Sequence, residues 1–308
     1  MTVIFVAVSC YTWSQSQQKV DDAKPMYGEV EKDERYKKID NEFRKDMIER
    51  YGSIDDAVNE YINIAWALFY QNDLETAMRR FNQSWLLNPE YPDAYFGFAA
   101  LLEMQGKKTE ASRFYLTGAE KDRDNKRTII CLQRIAECKE QLIDLQGAID
   151  ALSKIRMLQP NDPVLYKKLG YLYIMTGNND LAVEAYTKAI ELDPKDVLTY
   201  HSRANLFQIM EDYLGAILDY DKSIRIDPTN VSSYVNRGIL EMKTGNYDAA
   251  TQDFQICIEL DEKSGELRRL LGLAKLNSDN KQGACSDFKL AKELGDPLAD
   301  EIINEYCK

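Results

Sequence analysis

The stretch of sequence that decides the fold is PVLYKKLGYLYIMTGNNDLAVEAYTKAIELDPKD, residues 163–196. Its first half places Tyr166, Leu169 and Tyr173 at spacings of three and four residues, which is typical of one apolar face of a helix. Gly177 then interrupts the pattern, as expected for a turn. The second half resumes the same spacing. The stretch therefore predicts two helices joined by a tight turn.

An alanine recurs along the whole chain at an interval of 34 residues, which becomes 37 once. The seven alanines are Ala77, Ala111, Ala148, Ala182, Ala216, Ala250 and Ala284. Four residues after each of them comes a large apolar residue: Phe81, Tyr115, Leu152, Tyr186, Tyr220, Phe254 and Phe288. Alanine normally accounts for roughly one residue in twelve, so this register is not accidental. A fixed period of this length predicts a stack of similar helix–turn–helix units.

A second set of small residues lies in the first helix of each predicted unit. Its members are Ala65, Ala99, Ala136, Gly170, Ala204, Gly238 and Gly272. Two helix axes approach closely only where no bulky side chain separates them. We therefore expect both small sets at the contact between paired helices, with the large rings filling the space beside it. Because the pairing repeats, the units should wind into a superhelix.

The motif formed by these residues resembles the tetratricopeptide repeat. The matching positions are Tyr166-x2-Leu169-Gly170-x2-Tyr173, Ala182-x3-Tyr186 and Pro194. The resemblance covers roughly residues 58–298. It implies an all-α fold, a right-handed α-solenoid of about seven units with capping helices at both ends. The ACSDFKLAKELGD stretch near the C-terminus is similar to Sel1-like units, an ending that occurs in bacterial tetratricopeptide proteins, and we expect a protein of the bacterial envelope type.

The predicted organisation follows from this period. Residues 16–57 should form a linker and an N-terminal capping helix at 34–51, and residues 299–308 a C-terminal capping helix. The predicted units of the 58–298 array are 58–91, 92–125, 129–162, 163–196, 197–230, 231–264 and 265–298. A three-residue insertion near 126–128 accounts for the single longer interval.

Residues 1–15 contain a short apolar run, TVIFVAVS, that is far too short to span a bilayer. It resembles the apolar core of a secretory signal whose preceding Lys or Arg is missing. Two kinds of processing are open: ordinary cleavage near Ser14, or lipid attachment at Cys10 in a lipobox-like context. We expect a bacterial cell-envelope protein, periplasmic or secreted. The alternative is a cytoplasmic protein with an apolar tail.

Composition excludes several classes of function. The net charge of −12 disfavours nucleic acid as a partner. The single histidine, His201, nearly excludes histidine-based metal sites and Ser-His-Asp triads. No cofactor or metal motif is present, so we expect a protein without enzymatic activity. Cys285 and Cys307 could meet near the C-terminal end, and the sequence leaves open whether they form a disulfide. The acidic pairs Asp55-Asp56 and Asp219-Asp221 are expected to be solvated.

The candidate binding surface is the concave face that first helices line in such arrays. A second stripe on these helices lies about 100° from the core stripe and is not needed for helix pairing. In the unit beginning at 163 it includes Lys167 and Tyr171. In the first two units its members are Ile62, Trp66, Phe69, Tyr70 and Phe96. The alternative is that the helix at 34–51 already covers these aromatic residues.

Some tetratricopeptide proteins hold the C-terminal carboxylate of chaperones with a Lys–Asn, Asn, Lys–Arg clamp. Asn205 and Asn236 occupy the positions of the two asparagines of this clamp. The positions of its lysines and arginine are occupied by His201, Glu266 and Leu270. Glu266 reverses the required charge, so this ligand is disfavoured. The two amides could still bond the backbone of an extended peptide.

Together these observations predict a non-enzymatic scaffold or adaptor that binds a peptide or helix of a partner protein in its groove. An acidic field favours basic or neutral partners. The alternative function is an envelope glycan-binding protein in which Trp66, Tyr70 and Phe96 stack against sugars.

Overall fold

The computed structural model describes residues 23–28, 34–123, 127–260 and 263–307. Within these ranges the chain forms sixteen α-helices and one short 3-10 helix, Pro25–Gly28, with no β-strand. The chain divides into two compact units between Pro160 and Asn161. The all-α fold predicted from the sequence is confirmed. Residues 1–15, with the predicted signal segment and Cys10, lie outside the described residues.

The N-terminal unit, which ends at Pro160, contains seven α-helices. Their bounds are α1 Glu34–Tyr51, α2 Ile54–Tyr70, α3 Leu74–Leu87, α4 Pro92–Met104, α5 Lys108–Lys121, α6 Thr128–Gln141 and α7 Leu145–Leu158. Six of these helices pack as three antiparallel pairs joined by short turns: α2 with α3, α4 with α5, and α6 with α7.

The C-terminal unit, which begins at Asn161, contains nine α-helices. Their bounds are α8 Pro163–Met175, α9 Asn179–Leu192, α10 Val197–Ile209, α11 Tyr213–Ile226, α12 Val231–Lys243, α13 Tyr247–Leu260, α14 Gly265–Asn277, α15 Lys281–Glu293 and α16 Ala299–Tyr306. Successive helices from α8 to α15 form four pairs, and α16 packs against α15. Asp162 caps α8 by accepting a hydrogen bond from the backbone of Val164, and Pro163 begins the helix.

The periodic small residues lie where the helices of a pair meet, as predicted. All seven repeated alanines are completely buried. A β-carbon built on Gly170 would lie 2.9 Å from the ring of Tyr186, and one on Gly272 would lie 2.4 Å from the ring of Phe288. The first helix of these pairs therefore carries a glycine because the ring of the second helix occupies the space of a side chain.

The turns between paired helices share one backbone feature. One residue in each has a positive φ: Asn72, Gly106, Ile143, Gly177, Glu211, Gly245 and Asp279. These positions follow the same 34-residue interval, with the one 37-residue step. Four of the seven are not glycine, although the left-handed conformation disfavours other residues. A search of the sequence for glycine turns therefore finds only three of them.

Two helices flank the paired ones. In the N-terminal unit, the rings of Phe43 and Tyr51 on α1 pack near the ring of Tyr61 on α2. Arg44 of α1 donates hydrogen bonds to the carbonyl of Leu86 at the end of α3. In the C-terminal unit, a disulfide between Cys285 of α15 and Cys307 joins the last helix to the one before it. The sequence alone had left this bridge open.

Candidate functional site

The candidate surface of the N-terminal unit is an aromatic cluster near the C-terminal end of α2. The ring of Trp66 lies 5.4 Å from that of Phe69 and 6.2 Å, nearly parallel, from that of Tyr70. Trp66 also packs against the buried ring of Phe81 at 5.1 Å. Tyr70 is 80% exposed, whereas Trp66 and Phe69 are half-buried. Tyr70 is therefore the member that offers most surface to a partner.

The other two predicted residues of this surface belong to the core. Ile62 and Phe96 are only 5% and 4% exposed. The ring of Phe96 lies against Gly118 of α5, where a β-carbon would approach it to 2.3 Å. These side chains support the helices rather than form a platform for sugars, so the glycan alternative depends mainly on the single exposed ring of Tyr70.

The N-terminal helix α1 does not cover Tyr70. The aromatic contacts of the described side chains of α1 are with Tyr61, which also donates a hydrogen bond to the sulfur of Met47. Tyr61 lies nine residues before Tyr70, about 13 Å along the axis of α2. The alternative that α1 occupies the whole aromatic stripe therefore does not hold for its exposed end.

The first helices of the C-terminal unit carry a row of exposed side chains in register. Tyr171, Asn205 and Ile239 follow one another at intervals of 34 residues on α8, α10 and α12, and all three are exposed. Met175 and Ile209 form a parallel exposed pair one helical turn further along α8 and α10. None of these five residues is needed to bury the helix pairs, whose contacts lie at the small residues.

Asn205 lies at the centre of this row and its side-chain amide is oriented. The hydroxyl of Tyr220 donates a hydrogen bond of 2.9 Å to Oδ1 of Asn205, and Nε2 of Gln208 donates to the Tyr220 oxygen at 3.1 Å. Burial raises the pKa of Tyr220 to about 12, so its phenol remains protonated. Since Oδ1 is occupied by a donor, Nδ2 of Asn205 is the group left for an outside acceptor.

His201 has a different environment from Asn205. Its Nε2 lies 2.9 Å from Oγ of Ser223 on α11 and 2.7 Å from Oγ of Ser233 on α12. The two serines are completely buried and lie 2.7 Å from each other. Burial lowers the pKa of His201 below its ordinary value. His201 therefore connects three helices through buried hydroxyl groups.

The remaining predicted residues of this face are Lys167 and Asn236. Lys167 forms a 2.7 Å ion pair with Asp196, which precedes α10. Asn236 is half-buried on α12. Their roles in binding stay predictions.

A set of buried ion pairs was not predicted from the sequence. Arg203 on α10 donates two hydrogen bonds, of 2.8 and 2.7 Å, to the buried carboxylate of Asp219 on α11. Arg237 on α12 makes the same pair with Asp253 on α13. The expectation that Asp219 is solvated is therefore wrong, because the arginine 16 residues earlier neutralises it inside the helix pair. The recurrence of both residues after 34 positions is the signal that would have revealed the pairing.

These pairs also determine the charge of the exposed row. Arg237 forms a second ion pair, of 2.5 Å, with Asp221 on the preceding pair of helices. Arg268 and Lys275 of α14 both contact Asp287, and Arg269 contacts Asp296. Most cations of the first helices are thus matched by acids of the same unit. The surface around Asn205 is apolar and amide-bearing rather than strongly charged.

Two further kinds of site concern the described ranges of the chain. No group of three or more His, Cys, Asp or Glu side chains there is placed to hold a metal ion. No helix in those ranges is both long enough and apolar enough to cross a bilayer.

Comparison with family models identifies tetratricopeptide repeats in three regions: residues 68–128, 163–196 and 219–252. Two solved structures show the same fold. The C-terminal part of a TPR repeat-containing protein from Cytophaga hutchinsonii is 17% identical, with a TM-score of 0.61, covering 78% of this chain and 98% of that chain. MamA is 23% identical, with a TM-score of 0.50, covering 56% of this chain and 95% of that chain.

No curated protein matches the sequence. The chain nonetheless contains tetratricopeptide repeats and has the helical solenoid fold of such proteins. The Sel1-like character of its C-terminal end is not among the matches and stays a prediction.

Proposed function

We propose that this protein is a non-enzymatic interaction scaffold that binds an extended segment of a partner protein on the first helices of its C-terminal unit. The observation that carries the proposal is the oriented amide of Asn205, with an exposed apolar residue one repeat away on each side. Because this side chain is already held in place, its amide can donate a hydrogen bond to a backbone carbonyl of the partner without a further loss of side-chain entropy on binding. Tyr171 and Ile239 would contact the side chains of the bound segment.

The charge of this surface defines the kind of segment that fits. Because Arg203 and Arg237 are satisfied by buried aspartates, the surface has no strong positive field. A partner with a run of acidic residues gains little there. The surface favours a neutral segment that combines apolar side chains with unpaired backbone groups, a combination found in extended peptides.

The proposal is tested by site-specific photocrosslinking in extracts of the source cells. A crosslinking residue in place of Ile209, which is 62% exposed, should capture a protein. The same residue in place of Glu184 on the outer side of α9 should not. The decisive variant adds Asn205→Asp, which keeps the acceptor for Tyr220 but replaces the Nδ2 donor by a carboxylate oxygen.

The expected result is loss of the Ile209 adduct in the Asn205→Asp variant, at an unchanged melting temperature. Equal adduct yields with Asn and Asp at position 205 would refute the role of the amide. Equal yields from positions 209 and 184 would refute the surface itself. Treatment of the extract with protease before crosslinking distinguishes a protein partner from a glycan, since a glycan adduct would survive it.

We also propose that the protein works in the bacterial cell envelope. The disulfide between Cys285 and Cys307 supports this, because such bonds persist in oxidising compartments and are rare in the cytosol. Mass spectrometry of the native protein tests it. A processed or lipidated N-terminus together with a bonded cysteine pair is expected, whereas an intact Met1 with two free thiols at 285 and 307 would refute the proposal.

A further inference from the structure

The first helices of the C-terminal unit lie side by side, and side chains join each one to the next. Nζ of Lys167 on α8 forms a 2.7 Å ion pair with Asp196, which caps α10. Nε2 of His201 on α10 lies 2.7 Å from Oγ of Ser233 on α12. Helices that pack directly have axes about 8–10 Å apart. Residues at equivalent positions of α8, α10 and α12 therefore follow one another with a step of about that length.

The exposed residues Tyr171, Asn205 and Ile239 stand at equivalent positions of these three helices. We call them the binding row. Val164 and Leu198 are also exposed and lie seven residues before Tyr171 and Asn205, nearly two helical turns away on the same side of α8 and α10. A segment that lies across the three helices thus meets one amide between two apolar residues, with further apolar surface beside it.

The step of the binding row restricts the conformation of such a segment. Side chains on one face of a β-strand repeat after about 6.6 Å, which is shorter than the step, and the next repeat at about 13 Å is longer. In a polyproline II helix, one turn takes three residues and about 9.3 Å, so every third residue meets the row. An α-helix comes near the step only after two turns, at about 10.5 Å.

The amide of Asn205 distinguishes a polyproline II segment from an α-helix. Its Oδ1 accepts the hydrogen bond of Tyr220, so Nδ2 faces a ligand as a donor. Interior carbonyl groups of an α-helix already accept a hydrogen bond from the residue four positions later. A polyproline II helix has no internal hydrogen bonds, and all its carbonyl groups are available. A fixed donor in the middle of the row therefore favours polyproline II.

The polar groups of the binding row also suit proline itself. No member of the row is charged, and the cations of the same helices are paired: Lys167 with Asp196, and Arg203 and Arg237 with buried aspartates. The row offers an amide donor, whereas its amide acceptor is already used by Tyr220. Proline has a carbonyl acceptor and no N–H group, so it presents no donor that would lack a partner there.

We propose that the segment bound on the binding row is proline-rich and adopts the polyproline II conformation. This inference rests on the proposed function, because it names the class of segment that the same surface takes. Residues i and i+6 of the segment contact Tyr171 and Ile239, and a carbonyl group near residue i+3 accepts the hydrogen bond of Asn205. Since proline restricts φ, such a segment loses little conformational entropy on binding.

Fluorescence anisotropy of labelled proline peptides with the full chain tests the ligand class. Decaproline should bind saturably, with a dissociation constant below about 1 mM. Heptaproline reaches all three members of the row and tetraproline only two, so heptaproline should bind about ten-fold more tightly. A glycine–serine peptide as long as decaproline should bind at least about ten-fold more weakly than decaproline, because it lacks both the rings and the fixed φ. Equal affinities for these last two peptides would overturn the proposal.

Two variants that add the same charge test the contact with Asn205. Asn205→Asp replaces the Nδ2 donor by an oxygen and should weaken decaproline binding by at least about ten-fold, at an unchanged melting temperature. The matched control Gln252→Glu, at an exposed position of α13, should bind decaproline like the unchanged chain. Unchanged affinity in the Asn205→Asp variant would overturn the proposal, and equal affinities for tetraproline and heptaproline would overturn the three-residue register.

Competition in cell extracts separates this inference from the proposed function. Saturating decaproline should abolish the adduct formed from position 209. An adduct that depends on Asn205 but persists with decaproline would overturn the polyproline II ligand and leave the scaffold function standing. Decaproline binding that depends on Asn205, together with no adduct from any extract, would support the ligand class and count against the proposed protein partner.

Discussion

Replacing Ile143 by glycine should stabilise the N-terminal unit. Ile143 lies in the turn between α6 and α7 with φ of 60°, a conformation that a β-branched residue rarely adopts. It is 83% exposed, so its side chain contributes little packing that the substitution would remove. The gain comes from the backbone alone.

The magnitude follows from two opposing contributions. The left-handed conformation costs a residue with a β-carbon about 1–2 kcal/mol. Glycine loses more conformational freedom on folding, which opposes the gain by about 0.5–1 kcal/mol. The net stabilisation should be about 0.5–1 kcal/mol, which corresponds to a rise of about 0.2–0.5 M in the urea midpoint.

Tryptophan fluorescence makes this measurement specific. The three tryptophans are Trp13, Trp66 and Trp85, so all lie before residue 160 and the C-terminal unit contributes none. The matched control is Gly106→Ala, at the equivalent turn between α4 and α5. Gly106 has φ of 76° and no atom within 4 Å of a built β-carbon, so any loss comes from backbone strain. A lower midpoint for Ile143→Gly, or an unchanged one for Gly106→Ala, would refute the reasoning.

Three further predictions concern the C-terminal unit. Ala182→Leu should lower the free energy of unfolding by about 1–3 kcal/mol, because the fully buried contact has no room for three more carbons; an equal melting temperature in thermal unfolding would contradict this. The lowered pKa of His201 means that the unfolded chain binds more protons as the pH falls below 6.5, so the protein should lose stability there. His201→Gln should flatten that part of the stability profile between pH 7.5 and pH 5.5, and an identical profile would show that the imidazole is not responsible. Reduction of the disulfide between Cys285 and Cys307, or Cys307→Ser, should cost about 2–4 kcal/mol by releasing a loop of 22 residues; no change in denaturant midpoint on adding a reductant would contradict it.

The helix pairs could be predicted from the sequence because their contacts depend on local spacing. Ala182 and Tyr186 are four residues apart, so any helix that contains them presents both on one face. The turn positions were harder to predict. Glycine is the residue type that favours a positive φ, so Gly177 marks its turn in the sequence. Ile143 and Glu211 have a positive φ as well, although their residue types do not indicate it.

The candidate site was predicted in outline and changed in detail. The sequence placed Asn205, Tyr171 and Tyr70 on first helices, and the structure shows that they are exposed there. It also placed Ile62 and Phe96 in the same stripe, although both are buried. A stripe on a helix is defined by angle alone, and the angle does not tell which neighbouring helix covers part of it.

The repeat itself, its period and its internal contacts were therefore determined by the sequence, since residues three and four apart meet within any helix. Only the tertiary structure decided the ion-pair partner of Asp219, the orientation of the Asn205 amide and the apolar groove that Leu116 and Met157 line. Each of these depends on side chains from different helices, and their distances are set by how the pairs pack.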